Sequence, residues 1–132
     1  MSFNDQTINQ VLEMKTWAIV GLGNNPERAA FGVSKLLQEK GHRIVPVYPR
    51  AETVHGEVGF KTLAEISFPI DVVDCFVNSK LVGKVVDEAI AIGAKAVWLQ
   101  LDVIDEEAVA RAEAAGLLAI MDRCPAIEYR KR

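Results

Sequence analysis

Short apolar runs alternate with helix-spaced apolar patterns along the chain, and that alternation is what most narrows the fold. The runs are TWAIVG (Thr16–Gly21), RIVPV (Arg43–Val47), DVVDCFV (Asp71–Val77), AVWLQL (Ala96–Leu101) and LLAIM (117–121). Each has the length of a strand, and their near-continuous apolar character fits strands covered on both faces of a parallel sheet. Between them the period changes. Ala29, Val33, Leu36 and Leu37 share one face of a helix predicted over Pro26–Lys40, with Asn25 as its cap, Pro26 at its first position and Gly41 as its stop. Val82, Val85, Val86, Ala89 and Ile90 mark another, closed by Gly93. Asp105 caps a third, which runs through Ala115 to Gly116, and Ile8, Val11 and Leu12 mark one near the start, with Asp5 as its cap.

Two stretches are less regular. Between Arg50 and Pro69, EVGF predicts a short edge strand and TLAEI a single helical turn capped by Thr62. The closing DRCPAIEYRKR reads as a tail with a solvated YRKR end. Strand–helix alternation with right-handed crossovers predicts an α/β fold, a Rossmann-type doubly wound parallel sheet. Counting the edge strand, the expected order is 3-2-1-4-5-6, in one domain spanning residues 1–132. The switch point then lies between the first strand and the strand at Asp71–Phe76, so a ligand is expected beyond their carboxyl ends.

Charge and cysteine content exclude several classes. The formal net charge is −3, without the basic excess of a nucleic-acid binder. No apolar run approaches membrane-spanning length, and MSFNDQTINQ has no apolar core of a signal peptide. Cys75 and Cys124 are far apart and lack a CxxC spacing, which predicts a reduced, cytoplasmic protein. A small anionic ligand remains compatible with this composition, because backbone dipoles and one or two cations suffice to hold it.

AIVGLGNNPERAAFG (Ala18–Gly32) narrows the ligand. Gly21 and Gly23 allow a tight turn and close approach to a phosphate, and Arg28 adds a positive charge. The third glycine of the dinucleotide fingerprint is absent, with Pro26 in its place. NAD-binding domains carry an acid at the end of the second strand, where it bonds the ribose hydroxyls. Here that strand ends PVYPR, and the first charge is Arg50. An arginine there attracts a phosphorylated ribose, which disfavours NAD and leaves NADP and coenzyme A (CoA).

No catalytic or metal site is expected. His42 and His55 lack metal-ligand spacing and read as surface residues. Cys75 reads as a core residue inside a strand. Cys124 could face the crevice, but no histidine is placed to activate it. Asp71, Asp74, Asp102 and Asp122 read as strand-flanking caps or partners of cations, and Trp17 and Trp98 as packing.

Taken together, AIVGLGNNPERAAFGVSKLLQEKGHRIVPVYPR, DVVDCFVNSK, AIAIGAKAVWLQL and MDRCPAIEY resemble the small stand-alone CoA-binding domain proteins, which are similar to the N-terminal domain of the succinyl-CoA synthetase alpha subunit. The resemblance runs from about Thr16 to Tyr129. It implies that the glycine loop, Gly21, Leu22, Gly23 and Asn24, holds CoA phosphates together with Arg28, with Pro26 in place of the third glycine because the helix entrance serves the pyrophosphate. It implies that Val47, Tyr48, Pro49 and Arg50 contact the adenosine part and that Phe76 and Val77 border the ligand. Many members carry arginines after that phenylalanine, whereas this sequence reads FVNS. The synthetase's phosphorylated histidine belongs to a second domain with no counterpart here. The resemblance therefore implies binding of CoA or an acyl-CoA without ligase chemistry. An NADP-binding cofactor domain that needs a partner chain, and an interaction subunit with a decayed nucleotide site, are the rival readings.

Overall fold

Side chains of a strand point alternately to its two faces, so a strand buried on both faces must be apolar at every position. In the computed structural model, which describes residues 5–132, the predicted runs form such strands: β1 (Thr16–Val20), β2 (Arg43–Val47), β3 (Val72–Cys75), β4 (Ala96–Leu99) and β5 (Leu118–Ile120). All pair in parallel, in the order β2-β1-β3-β4-β5. The helices are α1 (Asp5–Leu12), α2 (Ala29–Glu39), α3 (Ser79–Ala91), α4 (Glu106–Ala114) and α5 (Pro125–Arg130), with a 3-10 turn at Leu63–Glu65. The N-terminal stretch read for targeting begins outside the described residues, at Met1–Asn4.

The sheet divides the core into two layers. On one face Trp17, Ile19, Trp98 and Ile120 pack against Ile8 and Val11 of α1, Leu37 of α2 and the start of α5. On the other, Ala18, Val73, Val97 and Leu99 meet Val82, Val86 and Ala89 of α3 and Ala108, Val109 and Ala112 of α4. The packing role read for Trp17 and Trp98 holds: both are fully buried. No helix among the described residues is long and apolar enough to cross a membrane.

The fold class is as expected, and the strand count is corrected. In place of a sixth strand at EVGF there is one parallel bridge, Val47 to Phe60, with Tyr48 donating to the Phe60 carbonyl and Phe60 to that of Pro46. The cause is local. Val54 and Glu57 exchange two backbone hydrogen bonds and close a tight turn, so Glu57 cannot also pair with β2.

Three helix boundaries also differ. Asn25 does not cap α2. Its side chain accepts from the Glu27 amide and its carbonyl from Arg28, which makes Asn25–Arg28 a separate turn with Pro26 inside it. Arg28 then adopts an extended backbone as the N-terminal flank of α2. Asp5 lies in the first turn of α1 rather than ahead of it, and the Thr62 side chain makes no cap bond. Asp105 does cap α4, accepting from the Ala108 amide at 3.0 Å.

The tail is a helix. Within α5, Glu128 is buried and pairs with Lys131 and Arg132, and Arg132 also reaches Asp5. Its anchor is His42, which is buried rather than exposed. The Met14 carbonyl lies 2.8 Å from Nδ1 and accepts its proton, and Nε2 meets the Tyr129 hydroxyl, which also lies 3.1 Å from the Leu12 carbonyl. His55 is half-buried, its ring tilted against that of Phe31 and bonded to the Phe31 carbonyl.

Candidate functional site

A parallel strand ends by turning into the helix that crosses back over the sheet, and where successive crossovers go to opposite faces a cleft opens at the carboxyl edge. Here β1 lies between β2 and β3, and the cleft forms above the three strand ends. Gly21 makes it possible. Its φ is +102°, its amide donates to the Val47 carbonyl at 2.8 Å, and a Cβ on it would lie 2.6 Å from the Phe76 carbonyl oxygen. Any other residue would push the first loop away from the end of β3.

The cleft has three branches that meet at Arg28. The largest, about 580 Å³, runs between the ends of β2 and β3 and the side of α3. Val47, Pro49, Leu63, Phe76 and Val77 give it apolar walls, with Lys61 and Lys84 among its charged groups. A second, about 330 Å³, lies over the glycine loop and takes in Gly23, Asn24, Tyr48, Arg50 and Glu52. A third, about 290 Å³, passes under the start of α2 toward Gln100 and Cys124.

The structure thus gathers Gly21, Gly23, Asn24, Arg28, Val47, Tyr48, Pro49, Arg50, Phe76 and Val77 around one connected space. Leu22 stands apart: its side chain is fully buried in the core, which leaves only its main chain to a ligand. The N-terminal flank of α3 takes shape through Asn78, whose side chain accepts from the amides of Lys80 and Leu81.

Charge in the cleft opposes the charge of the chain. Arg28, Arg50, Lys61 and Lys84 line it, and among the described residues none of them forms an ion pair. Lys61 and Lys84 escape the sequence reading because one sits in the irregular segment and the other on the flank of a helix. Lys84 lies in α3 and lines the same branch as Phe76 and Val77.

Glu52 escapes it too. Its carboxylate accepts the Asn24 amide at 2.8 Å, while the Asn24 side chain donates to the Thr53 carbonyl at 2.8 Å. The loop after β2 folds back, and Glu52, two residues beyond the first charge at Arg50, lies against the glycine loop. A Cβ on Gly23 would lie 2.8 Å from that carboxylate oxygen.

Asp74 is the largest departure from the sequence reading. It caps nothing and pairs with no cation. It sits inside β3, fully buried, and neither carboxyl oxygen has a hydrogen-bond partner among the described residues. Burial pushes its pKa well above the usual carboxylate range. Burial, reinforced by Asp74 next to it, also pushes the Cys75 thiol up, consistent with a core residue. Asp71 behaves as read, accepting the Thr16 amide and pairing with Lys95, whereas Asp122 accepts the Asp102 amide and, among the described residues, neither Asp102 nor Asp122 caps a helix or forms an ion pair. No group of three His, Cys, Asp or Glu among the described residues could hold a metal ion.

A glycine loop against an unpaired arginine, opening into apolar space, suits a phosphorylated organic ligand. The sequence profile of the family described as CoA binding domain matches residues 15–130. The chain belongs to the CoA-binding domain family. Uncharacterized protein YneT of Bacillus subtilis is 35% identical over 118 residues, which cover 89% of this chain and 87% of that protein. A hypothetical protein from Pyrococcus horikoshii superposes with a TM-score of 0.93 at 37% identity, over 98% of this chain and 92% of the other. The dinucleotide forming acetyl-coenzyme A synthetase 1 of Ca. Korarchaeum cryptofilum shares the fold, with a TM-score of 0.75 at 19% identity, over 87% of this chain and 28% of that enzyme. In this member of the CoA-binding domain family the expected ligand-contacting loops converge on Arg28.

Proposed function

We propose that this protein binds coenzyme A or an acyl-CoA at the carboxyl edge of the sheet and performs no chemistry on it unaided. The observation that carries the reading is the meeting of the glycine loop and the unpaired Arg28, at the junction of the three branches, in a member of the CoA-binding domain family. Gly21 and Gly23 keep the loop free of side chains, so backbone amides can approach a pyrophosphate, and Arg28 supplies the countercharge. Arg50 is placed in the branch above the loop, where a ribose phosphate can reach it. The apolar walls of the largest branch suit an adenine ring. A binding role without catalysis accords with both histidines being engaged elsewhere, His42 with Met14 and Tyr129 and His55 with Phe31.

The test is thermal unfolding with CoA, NAD or NADP. CoA at about a hundredfold over its dissociation constant should stabilise the fold by about 2.7 kcal/mol. NAD, which lacks the additional phosphate on the adenosine ribose, should leave the melting temperature unchanged. Equal stabilisation by NAD and CoA, or a larger effect of NADP than of CoA, would overturn the assignment.

A further inference from the structure

A group of large apolar side chains exposed side by side marks a contact surface, whereas single ones are ordinary. Five such side chains are exposed among the described residues. Three of them, Leu81, Leu101 and Ile104, stand at the carboxyl edge of the sheet, 56%, 47% and 46% exposed. Val77 connects them: it lines the largest branch of the cleft with Leu81 and the third branch with Leu101. Ile104 is held by Ser79 at the start of α3. The Ser79 hydroxyl accepts the Ile104 amide at 2.9 Å and donates to the Asp102 carbonyl at 3.3 Å. Together these side chains form an apolar ridge beside the cleft.

The helices that flank the ridge carry opposite charges. The start of α3 bears Lys80 and, one turn on, Lys84, and α4 opens with Glu106 and Glu107. All four are exposed, and among the described residues none forms an ion pair. Such a surface is complementary to itself. A two-fold axis through the ridge sets apolar groups against apolar groups, and it brings the basic start of α3 in each copy to the acidic start of α4 in the other. A partner of a single charge would be repelled by one of the two flanks.

We infer that the ridge is the contact surface for a second copy of this chain, in an isologous dimer that joins Lys80 of each protomer to the partner's Glu106. Because Val77 borders two branches of the cleft, both clefts of the dimer open beside the shared surface. The inference is independent of which ligand the cleft holds.

The experiment is sedimentation velocity on the ligand-free full chain, over a concentration series from about 1 to about 200 μM. The wild-type mass should rise with concentration toward twice that of the 14.5 kDa chain. Lys80→Glu and Glu106→Lys, each alone, place two like-charge pairs in the interface and should raise the dimer dissociation constant roughly tenfold or more. Mixed in equal amounts, the two variants should associate as wild type does, because each then meets its opposite charge at both contacts. Ile104→Ser, which leaves the charges untouched, should weaken the dimer as well. Circular dichroism compares each variant with wild type first, and if a charge variant does not fold, Ile104→Ser decides. A wild-type chain that stays monomeric throughout would give the ridge to a different protein or to an apolar part of the ligand, and would overturn the inference. A dimer left unweakened by any of the three substitutions, or a mixture of the two charge variants that stays monomeric, would overturn it too.

Discussion

Arg50 and Glu52 enter the same branch of the cleft from one loop, with opposite charges and opposite consequences. Glu52 accepts the Asn24 amide, a bond that a phosphate oxygen would otherwise take. A bound anion must either displace this carboxylate or tolerate its repulsion. Glu52→Gln keeps the hydrogen-bonding shape and removes the charge, so it should tighten CoA binding roughly fivefold, on the order of 1 kcal/mol. Calorimetric titration checks this, and weaker binding by the variant would show that the carboxylate supports the ligand-ready loop instead. Arg50 carries the complementary prediction. If it reads the ribose phosphate, Arg50→Ala should weaken CoA binding by about 1.5–3 kcal/mol, the range for a hydrogen bond between charged groups. Dephospho-CoA, which lacks that phosphate, should bind wild type and variant almost equally. Arg28→Ala should weaken both ligands alike, because Arg28 stands at the junction and not in one branch. Equal losses for both ligands on Arg50→Ala would remove Arg50 from ribose-phosphate recognition.

At the scale of elements, α5 shows how a short segment is held by contacts that sequence patterning does not display. It has six residues, too few to repeat an apolar face, and its last turn is charged. Its hold comes from Tyr129, whose hydroxyl meets His42 across the protein. Tyr129→Phe should lower stability by about 1–3 kcal/mol, because it removes the hydroxyl that joins the buried His42 nitrogen and the Leu12 carbonyl. Denaturant unfolding measures the loss, and CoA affinity should not change, since Tyr129 does not line the cleft. The same contrast explains what was legible in the sequence. The five strands, four of the five helices and the switch point follow from period and length, because burial on two faces leaves an unmistakable apolar run. The glycine loop and Arg50 are legible for the same reason: they sit at fixed offsets from strand ends. The sixth strand is not, because whether Glu57 pairs with β2 depends on its bond to Val54. Nor is Glu52, whose role depends on a loop folding back over residues 28 positions earlier. Asn25 was a reasonable cap by type, but the turn it forms with Glu27 and Arg28 satisfies the same preference and delays the helix by three residues.

For the whole molecule, two buried ionisable groups, Asp74 and His42, tie the fold to pH, and the two act in opposite directions. Asp74 lies in the central region of the sheet, where burial raises its pKa. The folded state then binds its proton more readily than the unfolded state. Its contribution to stability is full below the unfolded carboxylate value, about 3.9, and is lost as pH rises through the folded value. His42 has its pKa lowered, chiefly by burial and against the pull of backbone hydrogen bonds from Met14 and Lys15. The unfolded state binds that proton more readily, so stability is full above about 6.5 and is lost as pH falls below it. Between those limits the two slopes oppose, and the wild-type profile should be flatter than either group alone would give. Variants separate them. Asp74→Asn keeps the shape and cannot ionise, so its stability relative to wild type should climb as pH is raised from 4 toward 8. His42→Gln should be less stable than wild type at pH 8, and its deficit should shrink as pH falls below about 6.5, where wild type begins to lose stability through this residue. Urea unfolding at a series of pH values measures both differences. A profile for Asp74→Asn that runs parallel to wild type would show that Asp74 does not titrate differently on folding, and the same parallel result for His42→Gln would remove the acid-side dependence from His42.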